Sequence, residues 1–533
     1  MACAGYEDRV TQVSVSALVL LLLLLGGCST MRSERPPTAS FALAAARYST
    51  LGRAAESVPV SSNGQSGFRL IVSGREAFAT RAVLADLAER TLDLQYYSAA
   101  DDMTTDLLLL RIEAAAQRGV RVRILLDDIY PPTRRFAQRA RAQHPGIQVR
   151  LYNPFFWSDS WDPVRVGELI ADAERLNRRM HNKLWIADNA AAVIGSRNLG
   201  DAYFDGLESG NFSDVDLFTM GQIVGELSGA FDAYWNSAAS VPLERLGAAP
   251  DAAAVELSRQ ALRSRAAACN ASASCASLVP PTRQDEADWL QRTIGQLVWA
   301  DADVSVDAPE EDKSSVPSGI EHGWIEDRPG GARTLSELLI VSPYLVFEED
   351  GLDHLADMRR RGIRVAILTN SLDSTDSLAA HAGYARQREA LLAIGVELYE
   401  LRPQPGTSRH GLSHRWLQPQ AGSLHAKIVV QDRTRAIVGS LNQDPRSRLH
   451  NREIWLTVRS MDLAAELAAL FDEASDKHHA YKVELVASGD AQWLEWHTEE
   501  SGRTVVHAVE PSPSPWLKLW RAVLGAIVPE HLL

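Results

Sequence analysis

Hydrophobic positions along the chain follow two periods, and the switches between them occur in the same order in two places. Residues 77–89 keep their apolar side chains on one helical face, 92–97 alternate as a strand, and Asp101 and Asp102 open a helical stretch over 103–118. Gly119 ends that helix before the strand 120–126, and a helix over 134–143 leads to a strand over 148–152. The second half has a strand over 338–342, a helix over 350–361, then Gly362 and a strand to Leu368. Arg118-Gly119-Val120-Arg121-Val122 recurs as Arg361-Gly362-Ile363-Arg364-Val365, an offset of 243 residues. Alternating elements predict parallel sheets, and the repeat predicts two tandem α/β domains packed as one pseudo-twofold bilobal unit.

At 533 residues with 46% hydrophobic and 23% charged positions, the chain is long enough for two buried cores, and its composition gives no case for general disorder. The formal net charge of −14 argues against a surface that tracks nucleic-acid phosphates, so nucleic acid is not an expected partner. The divisions predicted are a leader over 1–27, a Ser/Ala/Pro/Gly tether over 28–66, a first domain over 67–245, an Ala-rich acidic insertion over 246–320, a second domain over 321–485 and a terminal segment over 486–533.

Each end carries a signal of its own. The apolar run 17–25 is short for a bilayer span and reads as the core of a signal peptide. Leu25-Gly26-Gly27-Cys28 resembles a bacterial lipobox, which implies lipidation of Cys28 and a membrane-anchored lipoprotein on the periplasmic side; Glu7 and Asp8 depart from the usual basic leader. Cys269 and Cys275 would then be the remaining cysteines, either closing a small disulfide loop or standing as free thiols, with no zinc-ligand spacing around them. Near the C-terminus, 493–497 and 504–509 predict a hairpin, and a Pro/Ser linker precedes an apolar segment with Trp516, Trp520, Lys518 and Arg521. Two readings stand for that segment: a helix lying in a membrane interface, or one closing over the body's own apolar surface.

The chemistry sits in a second repeat, nested in the first. His181, Lys183, Asp188, Gly195, Ser196 and Asn198 recur with the same spacing as His425, Lys427, Asp432, Gly439, Ser440 and Asn442. In each copy His and Lys are two apart on a strand-like stretch, so they share a face; the Gly-Ser pair follows the next strand, where glycine is expected to admit a ligand. Two imidazoles, two ammonium groups, two amides and two hydroxyls make a pocket for a phosphate diester. Lys183 and Lys427 supply charge, and Asn198, Asn442, Ser196 and Ser440 are expected to donate to the phosphate oxygens. One neutral histidine attacks phosphorus while the other, protonated, gives its proton to the leaving oxygen. Asp214 and Glu453 are placed to orient the histidines. The lysines provide the charge a metal supplies elsewhere, so no metal and no cofactor is expected, while Asp188 and Asp432 are expected to brace turns.

The doubled His-x-Lys-x4-Asp-x6-Gly-Ser-x-Asn pattern resembles the signature of the phospholipase D superfamily. Leu94-Gln95-Tyr96-Tyr97, Arg175 to Lys183, Gly200 to Phe204, His381 to Arg386 and Asp444-Pro445-Arg446-Ser447 are similar to bacterial cardiolipin synthases of the C type. The resemblance implies two phospholipase D-like domains with a shared active site. It also implies a metal-independent phosphatidyltransferase that makes cardiolipin from phosphatidylglycerol and a donor phospholipid, phosphatidylethanolamine in similar enzymes, at a membrane. In that family the N-terminal histidine is the usual nucleophile, which assigns the nucleophile to His181 and acid/base work to His425. Leu441 stands where the family often has Phe. Water competes with an alcohol for the same intermediate, so a hydrolytic phospholipase D is the second reading. A nuclease of the superfamily and a non-catalytic lipid-binding protein follow. Oligomeric state is not legible.

Overall fold

Each run of strand, helix and strand folds right-handedly onto itself and builds three parallel strands per half. In the computed structural model these are Thr91–Tyr96, Arg121–Asp127 and Ile147–Tyr152 in the first half, and Glu337–Val341, Arg364–Asn370 and Glu397–Leu401 in the second. Residues 38–44, 48–57, 64–207, 210–247, 252–271, 283–310, 334–403, 421–512 and 514–527 are described. The leader, Cys28 and Cys275 lie outside them; Cys269 is disulfide-bonded.

The sheets are mixed rather than wholly parallel, and the motif is the reason. Leu184–Ala187 and Ala191–Gly195 pair antiparallel as a hairpin, as do Ile428–Gln431 and Arg435–Gly439. The three-residue connections 188–190 and 432–434 place Asp188 and Asn189, and Asp432 and Arg433, at positive φ between 50° and 55°, the left-handed geometry of tight hairpin turns. Asp188 accepts backbone N–H bonds from Arg90 at 2.7 Å and Thr91 at 3.0 Å; Asp432 accepts them from Leu335, Ser336 and Glu337 at 2.8–3.0 Å. Both motif aspartates therefore tie a hairpin turn to the start of the neighbouring strand.

The stretch read as an insertion contains the strand that joins the halves. Val298–Val306 pairs antiparallel with Ser66–Ile71 of the first sheet through residues 298–300, and with Ile454–Arg459 of the second through residues 301–306. The terminal hairpin of Ala491–Glu500 and Arg503–His507 is preceded by a further strand, Ala480–Ser488, which attaches it to Glu397–Leu401. The inner faces of both sheets and the helices Ile223–Trp235 and Met461–Ala474 share one apolar cluster, in which Leu184, Ile194, Leu339, Ile428, Val438 and Leu456 are all buried. Helices Gly74–Leu87, Met103–Gln117 and Pro131–Gln143 cover the outer face of the first sheet, and Glu349–Arg360 and Leu378–Ala393 that of the second. Asp102 caps Met103–Gln117 by accepting from Thr105 N at 3.3 Å. Among the described residues, no helix is long and apolar enough to cross a membrane.

Candidate active site

The two copies of the motif meet because each half lends a short strand to the other. Arg179–Met180 pairs parallel with Asn451–Arg452, and Asn211–Ser213 pairs parallel with Ala421–Leu424. These ladders end at the histidines: His181 N donates to Arg452 O at 2.8 Å, and His425 N donates to Ser213 O at 2.9 Å. His181, Lys183, His425 and Lys427 are all buried at this seam.

The carboxylates cross over. His181 of the first half meets Glu453 of the second, with Nδ1 3.0 Å and 2.9 Å from the two carboxylate oxygens, and His425 meets Asp214 of the first half with Nδ1 at 2.8 Å. An ionised carboxylate has no proton to give, so Nδ1 carries the hydrogen in each ring and Nε2 is left as the reacting nitrogen. Neither histidine thus takes its orienting carboxylate from its own half.

Ser196 and Ser440 take a different place from the one expected. Ser196 Oγ donates to Asp214, and Ser440 Oγ donates to Glu453 at 2.5 Å; neither hydroxyl is turned to a phosphate. The motif serines hold the carboxylates that hold the histidines. The motif glycines likewise admit protein, not ligand. A Cβ on Gly195 would lie 2.2 Å from Asp216 Oδ1 and 2.6 Å from its Cα, and one on Gly439 would lie 2.3 Å from Ile454 O. These contacts come from the strands that begin just after Asp214 and Glu453, so glycine lets the carboxylate-bearing strand close on the motif strand. Gly195→Ala is expected to lower stability in urea unfolding by about 3 kcal/mol; a variant as stable as the wild type would show that the strand can move aside.

Four cationic groups crowd the pocket. Lys183 Nζ donates to the His181 carbonyl and lies 5.2 Å from the centre of the Tyr97 ring. Lys427 Nζ donates to the His425 carbonyl at 2.6 Å and sits 3.1 Å from His425 Nε2. Burial pushes both lysines down, Lys183 far below its usual value and Lys427 to about 8, with Asp214 and Glu453 resisting. The histidines differ. Burial, then Lys183, Lys427 and His425, hold His181 well below the usual imidazole value. Burial and Lys427 also lower His425, but Asp214 and Asp376 pull it back up. His181 is the better lone pair and His425 the better acid. Asp214 is opposed by burial, yet His425, Arg197 and Lys427 hold its carboxyl below the usual carboxylate range.

Asn198 donates from Nδ2 to the Tyr203 hydroxyl at 3.0 Å, and the buried Oδ1 atoms of Asn198 and Asn442 have no hydrogen-bond partner among the described residues. An amide oxygen accepts and does not donate, so any contact from these residues to a phosphate oxygen would come from Nδ2. Aromatic walls complete the site: Tyr97 meets His181 edge-on at 4.8 Å, and Tyr203 meets His425 at 5.2 Å. Asp376, which no periodicity or motif marks, is the acid at the mouth; it is exposed and accepts from the Tyr344 hydroxyl at 2.9 Å. Tyr97 and Tyr203 fall inside stretches the resemblance rests on, but only the fold shows their contact with the histidines. No group of three or more His, Cys, Asp or Glu side chains is placed to hold a metal ion among the described residues.

A family model described as "Cardiolipin synthase, PLD-like domain" matches residues 84–235 and 332–475. The chain is 34% identical over 476 residues to cardiolipin synthase C of Escherichia coli K12, covering 88% of this chain and 97% of that one. It is 24% identical over 414 residues to cardiolipin synthase A of Erwinia tasmaniensis, covering 76% and 68%. Among solved structures, phosphatidylserine synthase of Haemophilus influenzae Rd KW20 has the same fold, with a TM-score of 0.55 at 13% identity over 91% of this chain and 100% of that one.

Proposed function

Since the chain belongs to the phospholipase D-like family of cardiolipin synthase domains, we propose that it is a phosphatidyltransferase that makes cardiolipin through a phosphohistidine. The crossed pairs His181–Glu453 and His425–Asp214 carry this reading, because they present two imidazole Nε2 atoms from opposite halves to one phosphate. His181 Nε2 attacks the phosphorus of the donor lipid; the P–N bond forms, the bond to the headgroup oxygen breaks, and His425 gives that oxygen its proton. His425, now neutral, takes the proton from a hydroxyl of phosphatidylglycerol, whose oxygen attacks phosphorus and frees His181. Lys183, Lys427, Asn198 and Asn442 balance the charge on the phosphoryl oxygens in both steps. Phosphatidylethanolamine is the proposed donor, by likeness to the C-type enzymes.

Incubating the purified protein with labelled phosphatidylglycerol, with and without phosphatidylethanolamine, tests this. Cardiolipin is the expected product, and its yield should not change with EDTA, because the lysines supply the positive charge. Phosphatidic acid without cardiolipin would make the protein a hydrolase. Strong inhibition by EDTA would count against a metal-free site.

The pH profile follows from Lys427. With its pKa at about 8, it loses its charge, and its pull on the phosphate, as pH rises through that value, so kcat/KM is expected to fall above about pH 8. Lys427→Arg should move that limb upward, since a guanidinium stays charged. A limb unmoved by Lys427→Arg would belong to another group. We also propose lipidation of Cys28 and a periplasmic location, from the lipobox-like Leu25 to Cys28; an intact-mass measurement showing an unprocessed, unmodified N-terminus would refute it.

A further inference from the structure

The helix Pro163–Ala171 is inside out. It buries Arg165 and Glu168 and exposes Val164, Val166 and Ile170, the last 75% exposed, the reverse of a helix that packs an apolar stripe on a core. Both buried groups are tied to backbone, Arg165 through its two terminal nitrogens and Glu168 through both carboxylate oxygens. Arg165 donates to Ser158 O at 2.8 Å and lies 3.7 Å from the Phe155 ring centre, while Glu168 accepts from the backbone N–H of Phe156 and Trp157, each at 2.8 Å. Trp161, 56% exposed, extends the outer face, and the Arg165 guanidinium lies 5.7 Å from its ring centre. A built helix that spends charged groups inward to hold apolar ones outward needs an apolar phase outside.

The buried side of this helix leads toward the first half of the site. Arg165 also donates to the Ile129 carbonyl at 3.4 Å, next to Tyr130, whose ring is 5.7 Å from Tyr97 and so one ring away from His181. On the second half, the helix Pro515–Ile527 packs against Leu378–Ala393 and turns Trp516, Leu519 and Trp520 outward, Trp516 being 70% exposed. It is pinned by Glu510, which pairs with His381 at 2.9 Å and Arg521 at 3.0 Å, and by Ser512, which donates to Asp373 at 2.5 Å in the loop that carries Asp376. One face of this helix therefore closes on the body, as the second reading of the C-terminal segment expects, and the other face stays open.

We propose that these two outward apolar faces, Trp161 to Ile170 on the helix whose Arg165 bonds the residue before Tyr130, and Trp516 to Trp520 on the segment whose Ser512 bonds Asp373, seat the site mouth on a phospholipid bilayer. The occupant follows from the proposed function, on which this inference rests: the substrate phosphates must reach the histidines while their acyl chains stay in an apolar phase. Tryptophan at a lipid interface, with arginine stacked behind it, suits the boundary between headgroup and acyl chain. The most exposed large side chains of these stretches, Trp161, Val164, Val166, Ile170, Trp516, Leu519 and Trp520, are uncharged, so apolar insertion rather than ion pairing is the proposed driving force.

Hydrogen–deuterium exchange of the full chain, with and without vesicles of phosphatidylglycerol and phosphatidylethanolamine, tests the surface without requiring turnover. Amides over 156–171 and 515–527 are expected to become protected only with vesicles, and to remain so at high salt. The variant Val164→Glu/Ile170→Glu should lose that protection over 156–171 and fall about tenfold or more in activity on vesicles, while keeping its activity on a monomeric short-chain phospholipid. Three results would overturn the proposal: exchange unaffected by vesicles; protection in dilute vesicle-free protein, which would mean that another segment of this chain covers the face; or vesicle-free protection that grows with protein concentration, which would mean a second copy does. Vesicle-dependent protection in a protein that makes no cardiolipin would refute the transferase reading and leave the surface standing.

Discussion

His181→Ala is expected to abolish phosphatidyl transfer, with kcat falling on the order of 10⁴-fold or more, because it removes the nucleophile that forms the covalent bond. Four features converge on this residue. Its Nδ1 is held by both oxygens of Glu453, which leaves Nε2 for phosphorus. Its backbone N–H is fixed to the Arg452 carbonyl, so the main chain that carries the ring is held at the seam. Burial and three neighbouring cationic groups keep it neutral, as a nucleophile must be. His425, by contrast, has two acids, Asp214 and Asp376, that favour its protonated form against burial and Lys427. Cardiolipin formation in His181→Ala at a rate near the wild type would mean that the intermediate forms elsewhere.

Glu453→Gln should slow formation of the covalent intermediate by roughly 10²- to 10⁴-fold, the range seen when a histidine-orienting carboxylate becomes an amide. Glu453 takes hydrogens from both sides, from Ser440 Oγ at 2.5 Å and from His181 Nδ1 at 2.9 Å. A glutamine that turns its oxygen to Ser440 presents its NH₂ to Nδ1. That favours the tautomer with hydrogen on Nε2, which cannot attack. Asp214→Asn acts on His425 in the same way and is expected to slow proton transfer to the leaving group. Pre-steady-state measurement of adduct formation distinguishes these effects. If Glu453→Gln forms the adduct at the wild-type rate, His181 does not depend on the opposite half.

What the sequence shows of this site is what is local. The spacing from His181 to Asn198 places a strand, a turn and a second strand, and the hairpins Leu184–Ala187/Ala191–Gly195 and Ile428–Gln431/Arg435–Gly439 are that spacing made solid. Asp188 and Asp432 are legible for the same reason, since an acid at a turn captures nearby N–H groups. The crossing of Glu453 to His181 is not local. It depends on Arg179–Met180 pairing with Asn451–Arg452 across 272 residues, and nothing within either copy records the partner. The serines and glycines were legible as motif positions, but their work is done against the strands that follow Asp214 and Glu453, so their chemistry looked like ligand binding until those strands were placed. The strand Val298–Val306 was hidden because Asp301 and Asp303, which face solvent, give it the look of an acidic linker. Arg175 and Arg179, prominent in the resemblance, brace the loop at Asn153: Arg175 donates to Asn153 Oδ1 at 2.8 Å and Arg179 to its carbonyl at 3.0 Å. Asp376 had no signal at all, because it reaches the site from a loop outside either copy of the motif.

The most direct measurement is rapid quenching of the wild-type protein during turnover of phosphate-radiolabelled phospholipid, followed by digestion and mapping of the labelled peptide. A single acid-labile label on the peptide bearing His181 is the result expected of one site built from two halves, with one histidine bonding phosphorus and the other moving protons. Label on the peptide bearing His425, or divided equally between both, would contradict it.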